Sequence, residues 1–403
     1  MKAVGIVVEY NPFHNGHALH IQESKKQTEA DVVIAVMSGS FLQRGEPALV
    51  NKWARTDMAL RGGVDLVIEL PYRFATANAE LFARGSISLL EAMQCDAFCF
   101  GSEDGKIAPF LDTYHLLQEK ETEYKSALKT FLKEGKSYPA AASLAFRSLS
   151  SNERGLDLSQ PNNILGKEYV HTALSNNYKI KPFTIKRVAA GYHETTLHDK
   201  AIASATGIRK AIIEQKQSMQ TISNYVPHST LAILETYITY YQSFHHWELY
   251  WPLLKYRILT SSAAELASIY EVEEGIEHRL LDIAKHSSTF QQFVTQVKTK
   301  RYTWTRIQRI CTHILTHSLQ AEMEASSFPS YLRLLGMTEK GQQYLQSVKK
   351  ELPLPLISKI SAYNDDDITP DLRATNVFAQ GLTEPYQTEL IKREFAAPIR
   401  LKV

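Results

Sequence analysis

Tyr10-Asn11-Pro12-Phe13-His14-Asn15-Gly16-His17 follows directly on an apolar run at residues 4–8 and opens a helical stretch near residues 17–27. The octapeptide carries an H-x-G-H tetrad at a strand-to-helix turn. A helix N-terminus presents unpaired N–H groups and partial positive charge, so a triphosphate can settle against it. Gly16 allows the backbone to approach closely. Two imidazoles reaching the phosphates can then stabilise the charge that develops as pyrophosphate departs. Four-residue matches arise by chance and histidines often cap or pack, but the strand-loop-helix setting favours chemistry. His14 and His17 are the first candidate catalytic residues.

Outward from this turn, further apolar runs at 31–37, 64–70 and 96–100 alternate with helix-like stretches at 17–27, 51–61 and 78–93. Runs apolar on both faces and joined through helices specify a parallel sheet covered on each side. Ligands bind such sheets beyond the carboxyl ends of the strands. Polar and glycine-rich segments gather there, at 11–17, 38–45 and 101–104. Residues 109–155 read as a charged helical insertion. A helix over 161–174, a strand over 183–188 and a helix over 204–213 complete an α/β, Rossmann-type, HIGH-motif nucleotidylyltransferase-like domain over 1–217. The remainder, 218–403, reads as a mainly helical domain with a final mixed segment after Pro353. Its aromatic-dense stretch, 237–256, is assigned to core packing.

Composition excludes several classes. With 44% hydrophobic and 22% charged residues the chain reads as ordinary globular protein, not a disordered one. No basic leader or bilayer-length apolar run is visible, so the expectation is a cytoplasmic protein without membrane contact. The three cysteines, Cys95, Cys99 and Cys311, fit a reducing compartment. Cys95 and Cys99 lack a second Cys/His pair to complete a tetrahedral metal site, so they read as buried thiols and no metal site is assigned. A formal charge of +2 leaves any nucleic-acid footprint to local clustering. Nothing in the sequence sets an oligomeric state.

A second motif, Ala203-Ser204-Ala205-Thr206-Gly207-Ile208-Arg209, again enters a helix. It resembles the I-S-S-T-x-I-R signature of nucleotidylyltransferases, with Ser204, Thr206 and Arg209 matching and Ala203 and Ala205 departing. A plain N-capped helix is the alternative. More specifically, residues 9–17, Gly39-Ser40-Phe41-Leu42-Gln43-Arg44-Gly45-Glu46-Pro47-Ala48, residues 63–71, Phe100-Gly101-Ser102-Glu103, Pro161-Asn162-Asn163 and Lys300-Arg301-Tyr302-Thr303 resemble the tRNA(Met) cytidine acetate ligase family. The resemblance implies activation of acetate by ATP to acetyl-adenylate and pyrophosphate. The acetyl group would then pass to the exocyclic amine of the wobble cytidine of elongator tRNA(Met). Spacing and composition alone reach only adenylyl transfer.

Carried to matching positions, the resemblance implies an ATP site formed by Val7, Val8, Glu9, Tyr10, Asn11, Pro12, Phe13, His14, Asn15, Gly16, His17 and His20, completed by Gly101, Asn162 and Arg187. Ser204, Thr206 and Arg209 would assist the catalytic histidines. Arg187 could offer a charged fork to phosphate or sit in a structural ion pair. Residues 43–46 are placed to hold acetate or the incoming nucleotide, or simply to turn. Magnesium is expected with ATP, without an assignable protein carboxylate. Lys298, Lys300, Arg301, Arg306 and Arg309, interleaved with Tyr302 and Trp304, form the candidate tRNA footprint. Arg306, Arg309 and His313 would lie on a face opposite Ile307, Ile310, Cys311, Ile314 and Leu315. Two other functions fit the motifs: a small-molecule nucleotidylyltransferase, against which the long C-terminal segment argues, and a non-catalytic nucleotide-sensing RNA-binding protein, against which the intact motif pair argues.

Overall fold

The computed structural model describes residues 1–149, 156–187, 203–215 and 218–402. The first four apolar runs are strands: β1 (Ala3–Val8), β2 (Val32–Ser38), β3 (Leu66–Leu70) and β4 (Ala97–Ser102). In β2 every residue is buried. Val33, Ala35 and Met37 face one core, and Val32, Ile34 and Val36 face the other. Period-two alternation with helices on both faces is the reason these strands read as unbroken apolar runs. Each aliphatic side chain fully buried this way contributes roughly 1.5–3 kcal/mol. The helices between them start at asparagine caps: Asn51 accepts from the Ala54 N–H ahead of Lys52–Arg61, and Asn78 from the Leu81 N–H ahead of Ala79–Ala92.

β5 (Lys181–Lys186) pairs with β4 in parallel, and the order runs β5-β4-β1-β2-β3. The expected strand end at Val188 lies outside the described residues. Because β2 and β3 lie on one side of β1 and β4 and β5 on the other, the strand order reverses at β1/β4. That topological switch opens a crevice at the carboxyl ends. The loop after β1, the Gly101–Glu103 segment of β4 and Arg187 after β5 all reach this edge.

Helices Ala108–Glu119, Glu121–Lys133 and Tyr138–Leu149 occupy the expected insertion, whose residues 150–155 lie outside the described set. The segment 218–402 is mainly helical, and strand begins at Leu332, ahead of the mixed segment read after Pro353. β6 (Leu332–Thr338) runs antiparallel on β3 and carries β7 (Leu356–Ile357) and β8 (Ile399–Leu401). Asp65 binds this strand to the sheet: its Oδ2 accepts from the Val33 N–H at 3.0 Å and its Oδ1 from the Thr338 hydroxyl at 3.0 Å. A buried charge network lies between β3, β6 and the chain's end. Lys52 Nζ meets Glu69 at 2.7 Å and Glu394 at 2.5 Å, and Arg333 meets the same two carboxylates at 3.1 and 2.6 Å. Helical residues such as Leu254, Phe293 and Ile310 share one core with Val4, Ile6 and Met37 of the sheet. In the aromatic-dense stretch Trp247, Tyr250 and Trp251 are buried, whereas Tyr240 and Tyr256 are exposed.

Candidate active site

His14 is the N-cap of helix Asn15–Thr28, in extended conformation. Its Nδ1 accepts the Gly16 N–H at 3.0 Å, and the Nδ1 of His17 accepts the His14 N–H at 3.2 Å. Two histidines thus build a capping box, a device usually made by Ser or Thr with Glu or Gln. Their rings stack with centroids 3.7 Å apart. An imidazole nitrogen that accepts an N–H carries no proton, so each neutral ring holds its hydrogen on Nε2. The helix end therefore presents two Nε2–H donors, while its first N–H groups are taken by the Tyr225 carbonyl, His14 Nδ1 and the His14 carbonyl. Burial, then the nearby Arg187 and Arg209 guanidiniums, lowers the His14 pKa to about 3. Burial, with His14, His20 and Arg187 adding to it, holds His17 well below the usual range. Both rings are neutral donors at pH 7. His20, one turn on, bonds the Cys99 backbone, and burial lowers its pKa to about 4.

The loop before this cap is held by arginines. Tyr10 takes a positive φ of 49°, an uncommon conformation for a bulky residue. Arg55, fully buried, donates to the carbonyls of Glu9 at 2.8 Å and Ser38 at 2.9 Å, and also to Gly39. It satisfies the acceptors where β1 and β2 end. Arg209 donates from Nη1 to the Asn11 carbonyl at 2.9 Å and from Nη2 to Glu46 Oε2 at 2.8 Å. The two motifs, almost two hundred residues apart, therefore meet at the carboxyl end of β1. The 43–46 segment is anchored too. Glu9 Oε1 accepts the Gln43 N–H at 2.7 Å, and the Gly45 carbonyl accepts from Trp247 Nε1 and Thr312 Oγ1.

On the β4 side, Arg187 Nη1 donates to Asn162 Oδ1 at 3.1 Å, and Asn162 Nδ2 donates to Glu103 Oε1 at 2.8 Å. Glu103 Oε2 is buried without a hydrogen-bond partner. A Cβ on Gly101 would come 3.0 Å from Arg187 Cγ. Gly101 thus makes room for Arg187 to cross the strand end, rather than only for an adenosine. Glu103 and Arg55 carried no signal of their own in the sequence: one sits in a polar strand end, the other inside a helix.

Residues 1–393 match the family model for HIGH Nucleotidyl Transferase. A tRNA(Met) cytidine acetate ligase of Geobacillus sp. (strain WCH70) is 51% identical over 399 residues, covering 99% of both chains. The Bacillus subtilis (strain 168) ligase of the same description is 48% identical, covering 99% of this chain and 97% of its own. The chain belongs to the tRNA(Met) cytidine acetate ligase family. The crystal structure of Thermotoga maritima TmcAL bound with alpha-thio ATP aligns over the whole of both chains with a TM-score of 0.92 and 33% identity. Its apo form I aligns with a TM-score of 0.93 and 34% identity.

For a tRNA(Met) cytidine acetate ligase, the remaining expected residues divide. Ser204 is the N-cap of helix Ala205–Ile213 and accepts the Gly207 N–H at 3.0 Å, the capping role weighed against phosphate contact. Thr206 is exposed on that helix. Three of the five cations read from 298–309 are ion-paired. Arg301 pairs with Glu274 at 3.2 Å, Arg306 with Glu273 at 3.1 Å, and Arg309 with Glu271 at 2.8 Å. Its sequence neighbourhood holds no acid, but the fold lays the 271–274 segment against it. Tyr302 is buried beneath Arg306, and His313, fully buried, bonds the Tyr72 hydroxyl at 2.9 Å, so neither stands on an exposed face. Lys298 and Lys300 are exposed. The three cysteines are buried and unbridged, and among the described residues no group of three or more His, Cys, Asp or Glu is placed to hold a metal. Among the described residues no helix is long and apolar enough to cross a membrane.

Proposed function

We propose that this chain joins acetate to the exocyclic amine of the wobble cytidine of elongator tRNA(Met), at the expense of ATP, through an acetyl-adenylate. The observation that carries this reading is the paired histidine cap at the sheet's switch point, with Arg209 and Arg187 on either side. ATP would lie with its β- and γ-phosphates against the two Nε2–H donors and the helix N-terminus. As acetate attacks the α-phosphorus, charge builds on the departing pyrophosphate. Neutral, preorganised donors and fixed guanidiniums stabilise that charge without transferring a proton. Glu103 and Asn162, on the β4 side, are placed for ribose hydroxyls or base edges. Magnesium brought by the nucleotide would take its oxygens from phosphate and water, with no protein ligand set assigned.

The mixed anhydride explains the second step. A cytosine amine has its lone pair delocalised into the ring and needs an activated acyl group. An anticodon-loop base is already unpaired and can turn into a cleft at small cost. An enzyme that modifies tRNA would act in the cytoplasm. The test is ATP–pyrophosphate exchange with and without acetate. Acetate-dependent exchange supports the reading, and exchange that needs a phosphorylated small molecule instead would overturn it. Label from acetate should enter unmodified elongator tRNA(Met) but not a transcript whose wobble cytidine is replaced.

A further inference from the structure

The transfer step needs a proton acceptor, because the attacking nitrogen carries an N–H that the amide product loses. Neither histidine of the cap can take it. Each Nδ1 already accepts a backbone N–H, and each Nε2 bears the outward hydrogen. Lysines and arginines at the cleft are cationic. Carboxylates remain. Glu46 is held in an ion pair by Arg209 at 2.8 Å, the unpaired Oε2 of Glu103 is buried, and Asp104 is exposed outside the β4 end. Glu9 differs. It stands where β1 ends, immediately before the Tyr10 turn and the histidine loop, and only its Oε1 is engaged, by the Gln43 N–H at 2.7 Å. Among the described residues its Oε2 accepts no hydrogen bond, and it keeps some solvent exposure beside the histidine loop and the 43–46 segment.

Resting on the acetate ligase reading above, we propose that Glu9 is the general base of acetyl transfer. The N4 lone pair attacks the carbonyl carbon of acetyl-adenylate and the bond from that carbon to the phosphate oxygen breaks. AMP leaves with the electron pair, and the N4 proton passes to Glu9 Oε2, which later releases it to solvent. The surroundings make this carboxylate a stronger base than an exposed one. Burial raises the Glu9 pKa, and Glu46 adds to this, while the Gln43 N–H, Arg44 and Arg209 pull it down and leave the net shift upward. Arg55 and Tyr169 face it from the helices behind. General bases work best with a pKa brought toward the working pH.

The experiment uses the full-length enzyme and measures two half-reactions: acetate-dependent ATP–pyrophosphate exchange, and single-turnover transfer from synthetic acetyl-adenylate to unmodified elongator tRNA(Met). Glu9→Gln keeps an oxygen to accept the Gln43 N–H, so the loop keeps its anchor, but it cannot take a proton. The ratio of transfer to exchange should fall by about 100-fold in this variant, the usual worth of a positioned base. In the wild type, transfer should decline as pH falls through the raised carboxyl range, and this acid limb should vanish in Glu9→Gln. Glu9→Asp, which keeps a carboxylate on a shorter stem, should transfer faster than Glu9→Gln and retain the limb. An unchanged ratio, or equal transfer by the Asp and Gln variants, overturns the assignment while leaving the ligase reading intact. Wild-type enzyme without acetate-dependent exchange overturns the ligase reading itself, and the base with it.

Discussion

The histidine cap gives His17 two separable duties, and two substitutions divide them. Its Nδ1 accepts the His14 N–H at 3.2 Å, a capping bond, while its Nε2–H points out of the helix end. Asparagine places a carbonyl oxygen near Nδ1 and reaches no further, so His17→Asn retains the cap and loses the outward donor. Alanine removes both groups, so His17→Ala loses the cap and the outward donor together. Losing a helix cap costs about 0.5–2 kcal/mol of stability. Losing one preorganised donor to developing charge costs about 2.7–4 kcal/mol of barrier, roughly 100- to 1,000-fold in rate. His17→Asn should therefore unfold in urea close to the wild type yet show acetate-dependent exchange reduced by about two to three orders of magnitude. His17→Ala should show the same loss of exchange and in addition lose about 1 kcal/mol of stability. The reasoning is refuted if His17→Asn retains more than a third of wild-type exchange, or if His17→Ala is as stable as His17→Asn.

Other outcomes follow from the same geometry. Burial lowers the His313 pKa to about 4, against about 6.5 in an unfolded chain. Its contribution is complete above pH 6.5 and drains as pH falls toward 4, because the unfolded state then binds the extra proton. Between pH 6 and 5 the wild type should lose about 1.4 kcal/mol more stability than His313→Gln, read from urea midpoints; parallel pH profiles would remove the argument. Glu394→Ala leaves Lys52 and Arg333 against Glu69 alone, and breaking a buried pair this way costs about 3–5 kcal/mol, so proteolysis near the C-terminus should rise steeply. Gly45 has a φ of +74° and a Cβ there would fall 2.4 Å from the Arg309 nitrogen, so Gly45→Ala should shift the 43–46 loop and destabilise by about 1–3 kcal/mol; a wild-type melting curve would contradict this. Reversing the exposed Lys298 and Lys300 should lower the salt dependence of tRNA binding by about one unit of slope for each phosphate left without its cation, with ATP binding kept. An unchanged slope would leave these lysines as solvated surface.

What the sequence determined by itself is local or periodic. The largely apolar runs at 4–8, 31–37, 64–70 and 96–100 needed no partner to declare a covered parallel sheet, because burial on both faces makes nearly every position of the strand apolar. The H-x-G-H turn declared its chemistry because the cap, the glycine and both imidazoles lie within four residues. Tertiary structure decided whatever depends on residues distant in the chain. β6 has no β-branched run and reads as readily as helix, and only its pairing with β3, over 260 residues away, makes it a strand. The 298–309 cations looked unopposed because the acids that neutralise them arrive from 271–274 by folding. Arg209, by contrast, was legible as a motif residue, but its grip on Asn11 and Glu46 was not. A hydrogen bond is set by the positions of two atoms in space, and a linear spacing of nearly two hundred residues carries no such information.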